Sequence, residues 1–299
     1  MISFRKIWML VLMLSAGTVG AGEALRWTTV TGSSAVPLTV VQAGRKDGPG
    51  ILFLHGFSQS ALSWQAQLAD PALQQAFHMV ALDLRGHGNS GKPWRTEDYT
   101  GDAWAQDIAA VMDATGLDRP VLVAWSFGGL VAMHYLRRYG AGGLSGLQFV
   151  GSVGQLVPQP PPSAPRDSDW LRDMLSDDSR ANLRAGRQSV RQLTAGDMPG
   201  EWTEQTLAAY LMMPVYAKRA IGVSAGDNAD LVMRLNLPVR FSGGSLDVIV
   251  PPEIMRSAAA VVPNASLKVY EGAGHSPFAE QSAQFNVDLT DFVKMAQGQ

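Results

Sequence analysis

The sequence predicts an α/β fold: a mostly parallel sheet with helices on both faces and a helical segment inserted late in the chain. Three observations predict it. Short apolar runs of strand character alternate with segments whose apolar residues recur at helical spacing, the pattern of strands and helices wound around a parallel sheet. Several runs, such as Gly50-Ile51-Leu52-Phe53-Leu54 and Met79-Val80-Ala81-Leu82, are apolar without alternation, as strands covered on both faces are. Between about residues 155 and 237 no strand-like run occurs, so a block of helices is expected there. With 299 residues and 46% hydrophobic content, the chain can enclose one large core and an insert.

Taken in order, Arg5 and Lys6 precede an apolar run, Ile7 to Ala16, that is shorter than the roughly 20 residues needed to span a bilayer. Small residues follow, ending Val19-Gly20-Ala21. Basic residues, apolar stretch and small-residue site in that order read as an export signal over residues 1–21. The mature chain is then expected to be periplasmic or secreted, with no stable membrane insertion. Losing Arg5 and Lys6 would take the basic residues from 24 to 22 against 26 acidic ones, a net charge of −4. The sequence has no cysteine, which excludes disulfides, thiolate catalysis, Cys-ligated metals and lipoprotein attachment. A net charge of −2 without basic clusters beyond the N-terminus gives nucleic acid no electrostatic footing.

Leu25 to Val30 and Leu38 to Ala43 read as a hairpin around Gly32-Ser33-Ser34 at the sheet edge. The strand ending Leu54-His55-Gly56 leads to a helix over about 60–69. The strand 79–84 runs into the glycine-punctuated loop Arg85-Gly86-His87-Gly88-Asn89-Ser90. Trp104, Ile108, Val111 and Met112 mark an amphipathic helix over 99–116. A strand over 121–126 is followed by a helix, and Leu147 to Val153 forms the sixth strand. The helical block then begins at Pro158-Gln159-Pro160-Pro161-Pro162. Strands at 239–243 and 267–270 complete the sheet, with Pro251 and Pro252 opening the helix between them. Phe285, Leu289, Phe292 and Val293 give the last helix its buried stripe. The resulting division is a core over 22–154, a helical cap over 155–237 between the sixth and seventh strands, and the rest of the core over 238–299.

The chemistry centres on Val123-Ala124-Trp125-Ser126-Phe127-Gly128-Gly129. A strand ends at a serine between small residues, which permits a tight strand-to-helix turn that lifts Oγ out of the sheet. Ala124 stands where the common pattern G-x-S-x-G has its first glycine. A serine N-cap at an ordinary junction is the competing reading. A serine hydroxyl needs a base and a group that orients the base, and open α/β sheets present such groups at the carboxyl ends of strands. Asp247 follows the seventh strand and His275 the eighth. Either could instead be an ordinary loop residue, and Asp227 and Asp230 are rival acids inside the cap. The N–H of Phe127 and that of Phe57, after His55-Gly56, are the expected oxyanion donors, with Ser58 a further candidate. His78, His87 and His134 fit the pattern less well, and no spacing of metal ligands occurs. No metal and no cofactor are therefore expected.

His55-Gly56-Phe57, Asp83-Leu84-Arg85-Gly86-His87-Gly88-Asn89-Ser90, Ala124-Trp125-Ser126-Phe127-Gly128-Gly129, Asp247 and Gly274-His275 together resemble the α/β-hydrolase superfamily. The resemblance covers about residues 38–295, leaving the cap without motifs. It is strongest to the single-cap branch of carboxylesterases, enol-lactonases, carbon–carbon bond hydrolases and metal-free haloperoxidases. Epoxide hydrolases and haloalkane dehalogenases share the 83–90 loop but carry aspartate at the elbow, where this chain has Ser126. The resemblance implies a serine hydrolase acting on a small-molecule acyl substrate, an ester or lactone, through an acyl-enzyme on Ser126. Peracid formation, carbon–carbon bond cleavage and a receptor-like fold with negligible turnover are the alternatives. Trp170, Trp202, Tyr210 and Met213 of the cap are candidates to line an apolar substrate pocket, or else form the cap's own core. Trp125 either walls that pocket or packs behind the elbow.

Overall fold

A computed structural model describes residues 24–158, 169–222 and 227–298. The leading segment read as an export signal lies outside these residues, as does most of the proline-rich start of the cap. Eight strands form one sheet: β1 (Arg26–Thr31), β2 (Pro37–Gly44), β3 (Gly50–Leu54), β4 (His78–Leu82), β5 (Val121–Trp125), β6 (Gly146–Val150), β7 (Val239–Gly244) and β8 (Ala265–Tyr270). Their order is β1-β2-β4-β3-β5-β6-β7-β8. The β1–β2 hairpin is antiparallel and β2 runs antiparallel to β4; every other pairing is parallel.

Connections run from β3 to β4 in one direction and then return past β3 to β5 in the other. The crevice beyond the carboxyl ends of β3 and β5 is thus the topological switch point, where open α/β sheets place their ligands. The central strands β3 to β6 are buried on both faces, and side-chain alternation divides the core in two. On one face Leu52, Leu54, Leu122, Ala124, Leu147 and Phe149 meet α3 (Gly101–Thr115), α4 (Phe127–Tyr139) and α9 (Pro252–Val261) through Trp104, Ile108, Val131 and Met255. On the other, Ile51, Phe53, Val121, Val123, Trp125 and Val150 meet α1 (Gln65–Leu68), α2 (Pro71–Ala76), α10 (Pro277–Glu280) and α11 (Ser282–Ala296) through Leu68, Leu73, Phe278, Phe285 and Leu289.

The helix expected over 60–69 is a 3-10 turn, Ala61–Trp64, followed by the single turn of α1. Helix α2 follows directly. Its signal is Asp70-Pro71: the Asp70 carboxylate caps Leu73 N–H at 2.9 Å, and Pro71 occupies the first turn, where its missing N–H costs nothing. Between β6 and β7 stand α5 (Trp170–Met174), α6 (Ser179–Gln192), α7 (Gly200–Met212) and α8 (Val215–Ile221), which form the cap. Ala217 and Ile221 of α8 belong to the core cluster that Phe57 and Phe127 pack against, and Ser58 Oγ donates to the Met213 sulfur, so the inserted helices contact the loop after β3.

Candidate active site

The turn after β5 has the backbone that a raised nucleophile requires. Ser126 adopts φ 51° and ψ −117°, a conformation costly for a residue with a side chain. The surroundings hold it there: Ser126 N–H donates to Val150 O at 2.9 Å, and Ser152 Oγ donates to Ser126 O at 2.9 Å. Although Ser126 occupies the N-cap position of α4, its side chain makes no capping hydrogen bond. Its Oγ is therefore not engaged in helix termination. Gly128 is needed for close approach: a Cβ there would stand 2.8 Å from the carbonyl oxygens of both Leu54 and His55.

Asp247 and His275 meet at the neighbouring strand ends. Asp247 Oδ2 accepts from His275 Nδ1 at 2.8 Å, and both side chains are buried. The other oxygen, Oδ1, accepts from the N–H groups of Ile249 at 2.8 Å and Val250 at 2.9 Å. These fix the carboxylate, which in turn fixes the ring with its proton on Nδ1 and Nε2 free as a base. Trp125 Nε1 donates to His275 O at 3.0 Å, and its ring lies 5.8 Å from the imidazole. The ring therefore stands directly behind the elbow. Gly151, at the end of β6, has φ 51° and lies so near that a Cβ would come 2.9 Å from His275 Nδ1. Among the described residues no hydrogen bond joins Ser126 Oγ to His275; such bonds commonly tighten only when substrate is bound.

Phe127 is the first residue of α4, so its N–H has no partner within the helix. The Phe57 N–H likewise meets no backbone acceptor among the described residues. Their rings meet edge to face with centroids 5.9 Å apart, so the loop after β3 packs against the first turn of α4. His55 holds the Phe57 loop. Its Nδ1–H donates to Gly56 O at 2.8 Å, and its Nε2 accepts from Leu84 N–H at 3.0 Å. Only the neutral imidazole can do both, and burial lowers its pKa accordingly. The 83–90 loop is braced from within. Asp83 accepts from Ala61 N–H at 2.6 Å and from Asn89 N–H at 2.7 Å. Arg85, wholly buried, grips Asp107 through two bonds of 2.6 and 2.8 Å and also donates to Asp98 O and Ser33 O. His87 is stacked 6.1 Å from Phe127 and held well below its usual pKa by burial.

The remaining candidates fall in several places. Trp125 is not a pocket wall. It shares the sheet face of Val121 and Val123, is 1% exposed, and packs on Phe278 at 5.0 Å. Met213 is buried at the α7–α8 junction, and its sulfur accepts from Ser58 Oγ at 3.2 Å, so the hydroxyl considered for the oxyanion is already engaged by the cap. Tyr210, Met174 and Ala185 form a small cap core with Trp170 and Phe57 against it. Trp170 also donates to Ser189 Oγ at 3.1 Å. Trp202 lines a different space, a cavity of about 330 Å³ between α7 and the 59–69 segment that none of Ser126, Asp247 or His275 lines. Asp230 pairs with Arg137 of α4 and is no rival to Asp247. His78 hydrogen-bonds weakly to Gln42 at 3.4 Å, and His134 packs on Trp104. Among the described residues no three His, Asp or Glu side chains converge as a metal would need.

Residues that the sequence reading left without a role also shape the site. Glu280 of α10 accepts from Gly274 N–H at 2.9 Å and from Ala195 N–H at 2.8 Å, tying the His275 loop to the cap. No spacing rule flags it, because the contact depends on where α10 packs.

Comparison with known proteins bears on the fold and family. The family model described as the alpha/beta hydrolase fold matches residues 49–282. A non-heme chloroperoxidase of Streptomyces lividans is 29% identical, with 89% of this chain and 99% of that protein covered. A bifunctional esterase/perhydrolase of Acinetobacter calcoaceticus is 28% identical over the same shares of both chains. Among solved structures, esterase RhEst1 from Rhodococcus superposes with a TM-score of 0.79 at 25% identity, covering 90% of this chain and 98% of its own. A crystal structure from Burkholderia cenocepacia superposes with a TM-score of 0.84 at 34% identity, covering 92% and 100%. An eight-stranded sheet with its elbow serine at the switch point, a matched family model over most of the length and these relatives make the chain a member of the α/β-hydrolase fold family.

Proposed function

We propose that this protein is a serine esterase that cleaves a small to medium carboxylic ester or lactone through an acyl-enzyme on Ser126. The observation that carries the reading is the 2.8 Å Asp247–His275 pair beside an elbow serine whose hydroxyl caps nothing. The esterase names among its relatives support it. In the proposed cycle, His275 Nε2 takes the Ser126 proton as Oγ attacks the carbonyl. Asp247 holds the Nδ1 proton and stabilises the imidazolium. The N–H groups of Phe57 and Phe127 receive the oxyanion, each such donor being worth about 2.7–4 kcal/mol of barrier. His275 then protonates the leaving alcohol, and water repeats the sequence to release the acid. A panel of p-nitrophenyl esters of increasing acyl length tests this. Wild type should cleave the short members, and Ser126→Ala should lose at least about 10³-fold in kcat. Retained turnover in Ser126→Ala, or cleavage of carbon–carbon bonds and no esters, would overturn the proposal.

A second activity is supported by the relatives named chloroperoxidase and esterase/perhydrolase. Hydrogen peroxide, in place of water, would attack the same acyl-enzyme, giving a peracid and free Ser126. Acetate-dependent oxidation of bromide by peroxide, lost in Ser126→Ala, is its signature; no acetate dependence removes it. We also propose that the protein is exported. Sequencing the N-terminus of protein recovered from the periplasm or medium should give Gly22, and an intact leading segment in the cytoplasm would contradict it.

A further inference from the structure

Lys218 is the least expected side chain in the molecule. It lies on α8 beside Ala217 and is 1% exposed. A buried ammonium normally sits against a carboxylate, because removing the charge from water is otherwise strongly unfavourable. Among the described residues Lys218 meets none. Its Nζ donates to Asn182 Oδ1 at 3.0 Å and lies 3.6 Å above the centre of the Tyr210 ring. Burial alone pulls its pKa down to about 7. The Tyr210 hydroxyl, on the ring that Lys218 covers, is buried with no hydrogen-bond partner among the described residues. Asp173, whose charge acts on the Tyr210 hydroxyl, is bound by Arg172 and Arg184.

The pair also lies near the loop after β3. Phe57, whose N–H is the proposed oxyanion donor, packs against the Tyr210 cluster and lies 6.0 Å from the His87 ring. Lys218 is near enough to His87 for its charge to depress that imidazole. Met213, five residues earlier, touches Ser58 beside the oxyanion loop. A buried ammonium with no carboxylate partner among the described residues and an unpartnered phenol thus stand together in the cap near the Phe57 loop.

We propose that Lys218 and Tyr210 Oη bind a carboxylate on the far end of the substrate's acyl chain, so that the preferred substrates are monoesters of dicarboxylic acids. The proposal rests on the serine-esterase reading and narrows it. An apolar chain would lie along Phe57 and Met213, with its acid end on Lys218. A charged hydrogen bond of this kind contributes enough to change selectivity by tenfold or more.

Monoethyl glutarate and monoethyl adipate, compared with ethyl valerate and ethyl hexanoate of matched chain length, test it. Near pH 6.5 the Lys218 ammonium is mostly present. The ratio of kcat/KM for acid ester over neutral ester should exceed one in wild type. It should fall at least about tenfold in Lys218→Met and about threefold in Tyr210→Phe, which removes only the unpartnered hydroxyl. Lys218→Met replaces the buried charge with an apolar chain of similar length, and Tyr210→Phe keeps the ring, so folding should survive in at least one. A wild-type ratio below one, or ratios in both variants within twofold of wild type, would overturn the inference. Failure of wild type to cleave any of the four esters would instead contradict the serine-esterase reading beneath it.

Discussion

Replacing Asp247 with Asn should disable the enzyme through the position of one proton. Asp247 uses Oδ1 to accept two backbone N–H bonds and Oδ2 to accept from His275 Nδ1. Asparagine offers one acceptor oxygen and one donor NH2. If the oxygen stays on the Ile249 and Val250 N–H groups, the NH2 faces His275 Nδ1. The ring proton must then move to Nε2, which can no longer accept the Ser126 proton. The flipped amide keeps the working tautomer but turns its NH2 onto two N–H groups, the half-buried one of Ile249 and the buried one of Val250. Each unsatisfied donor costs about 1–3 kcal/mol, so the unproductive arrangement is favoured by roughly 2–6 kcal/mol. At the lower bound only about 3% of molecules keep the productive tautomer. Loss of the carboxylate charge opposite the imidazolium adds to this, and the same substitution in another serine-hydrolase triad lowers kcat about 10⁴-fold. The expected loss here is about 10²–10⁴ in kcat, or roughly 2.7–5.5 kcal/mol of barrier. It should be read by steady-state hydrolysis of a short-chain p-nitrophenyl ester near neutral pH, with thermal unfolding as a check on folding. A folded Asp247→Asn enzyme retaining kcat within threefold of wild type would refute the tautomer argument.

Three other expectations follow from neighbouring contacts. Arg85→Met strands the buried Asp107 carboxylate and should cost about 3–5 kcal/mol in urea unfolding, much of it restored by adding Asp107→Leu; a loss under about 1 kcal/mol would show that the pair does not anchor the 83–90 loop. His55→Leu leaves the Leu84 N–H without its acceptor and releases the Phe57 loop, so kcat on short esters should fall about 10- to 100-fold, and an unchanged kcat would remove His55 from oxyanion positioning. Lys218 has a folded pKa of about 7 against an ordinary value of 10.5, so the native state penalises its protonation. That penalty is full below pH 7 and fades as pH rises toward the ordinary value. The stability advantage of Lys218→Met over wild type should therefore shrink between about pH 7 and 10, by up to about 1.4 kcal/mol per unit; a difference independent of pH would place the lysine in water.

The sheet was legible because its signals are local and repeated. Eight apolar runs were recognisable, and the order of Ser126, Asp247 and His275 after three of them needed only the rule that active groups stand at strand ends. Trp125 carries a signal in the alternation of its strand. Alternation along Val121, Leu122, Val123, Ala124 and Trp125 puts the tryptophan on the face of Val121 and Val123, away from the cap, but that inference requires knowing which face the cap covers. The brief helix α2 was signalled by Asp70-Pro71 in the same local way. Glu280, Ser152 and the Arg85–Asp107 pair left no such trace. Each acts on a partner 22 or more residues away, or through backbone atoms that no motif names. The cap residues were the least readable. Aromatic and methionine content marks a packed helical block, whereas the direction of Tyr210, Trp202 and Met213 depends on how four helices pack. Lys218 is illegible in the sequence because a lysine in a helix reads as surface, whereas here it is buried.

The central claim is that Ser126 is the nucleophile and that Asp247 and His275 activate it. Active-site titration with a fluorophosphonate probe, followed by intact-mass and peptide-mapping spectrometry, addresses it most directly. One adduct per chain on Ser126 is predicted, abolished by Ser126→Ala and slowed in Asp247→Asn in proportion to its loss of turnover. An adduct on a different serine, or no adduct on folded protein that still hydrolyses esters, would contradict the account.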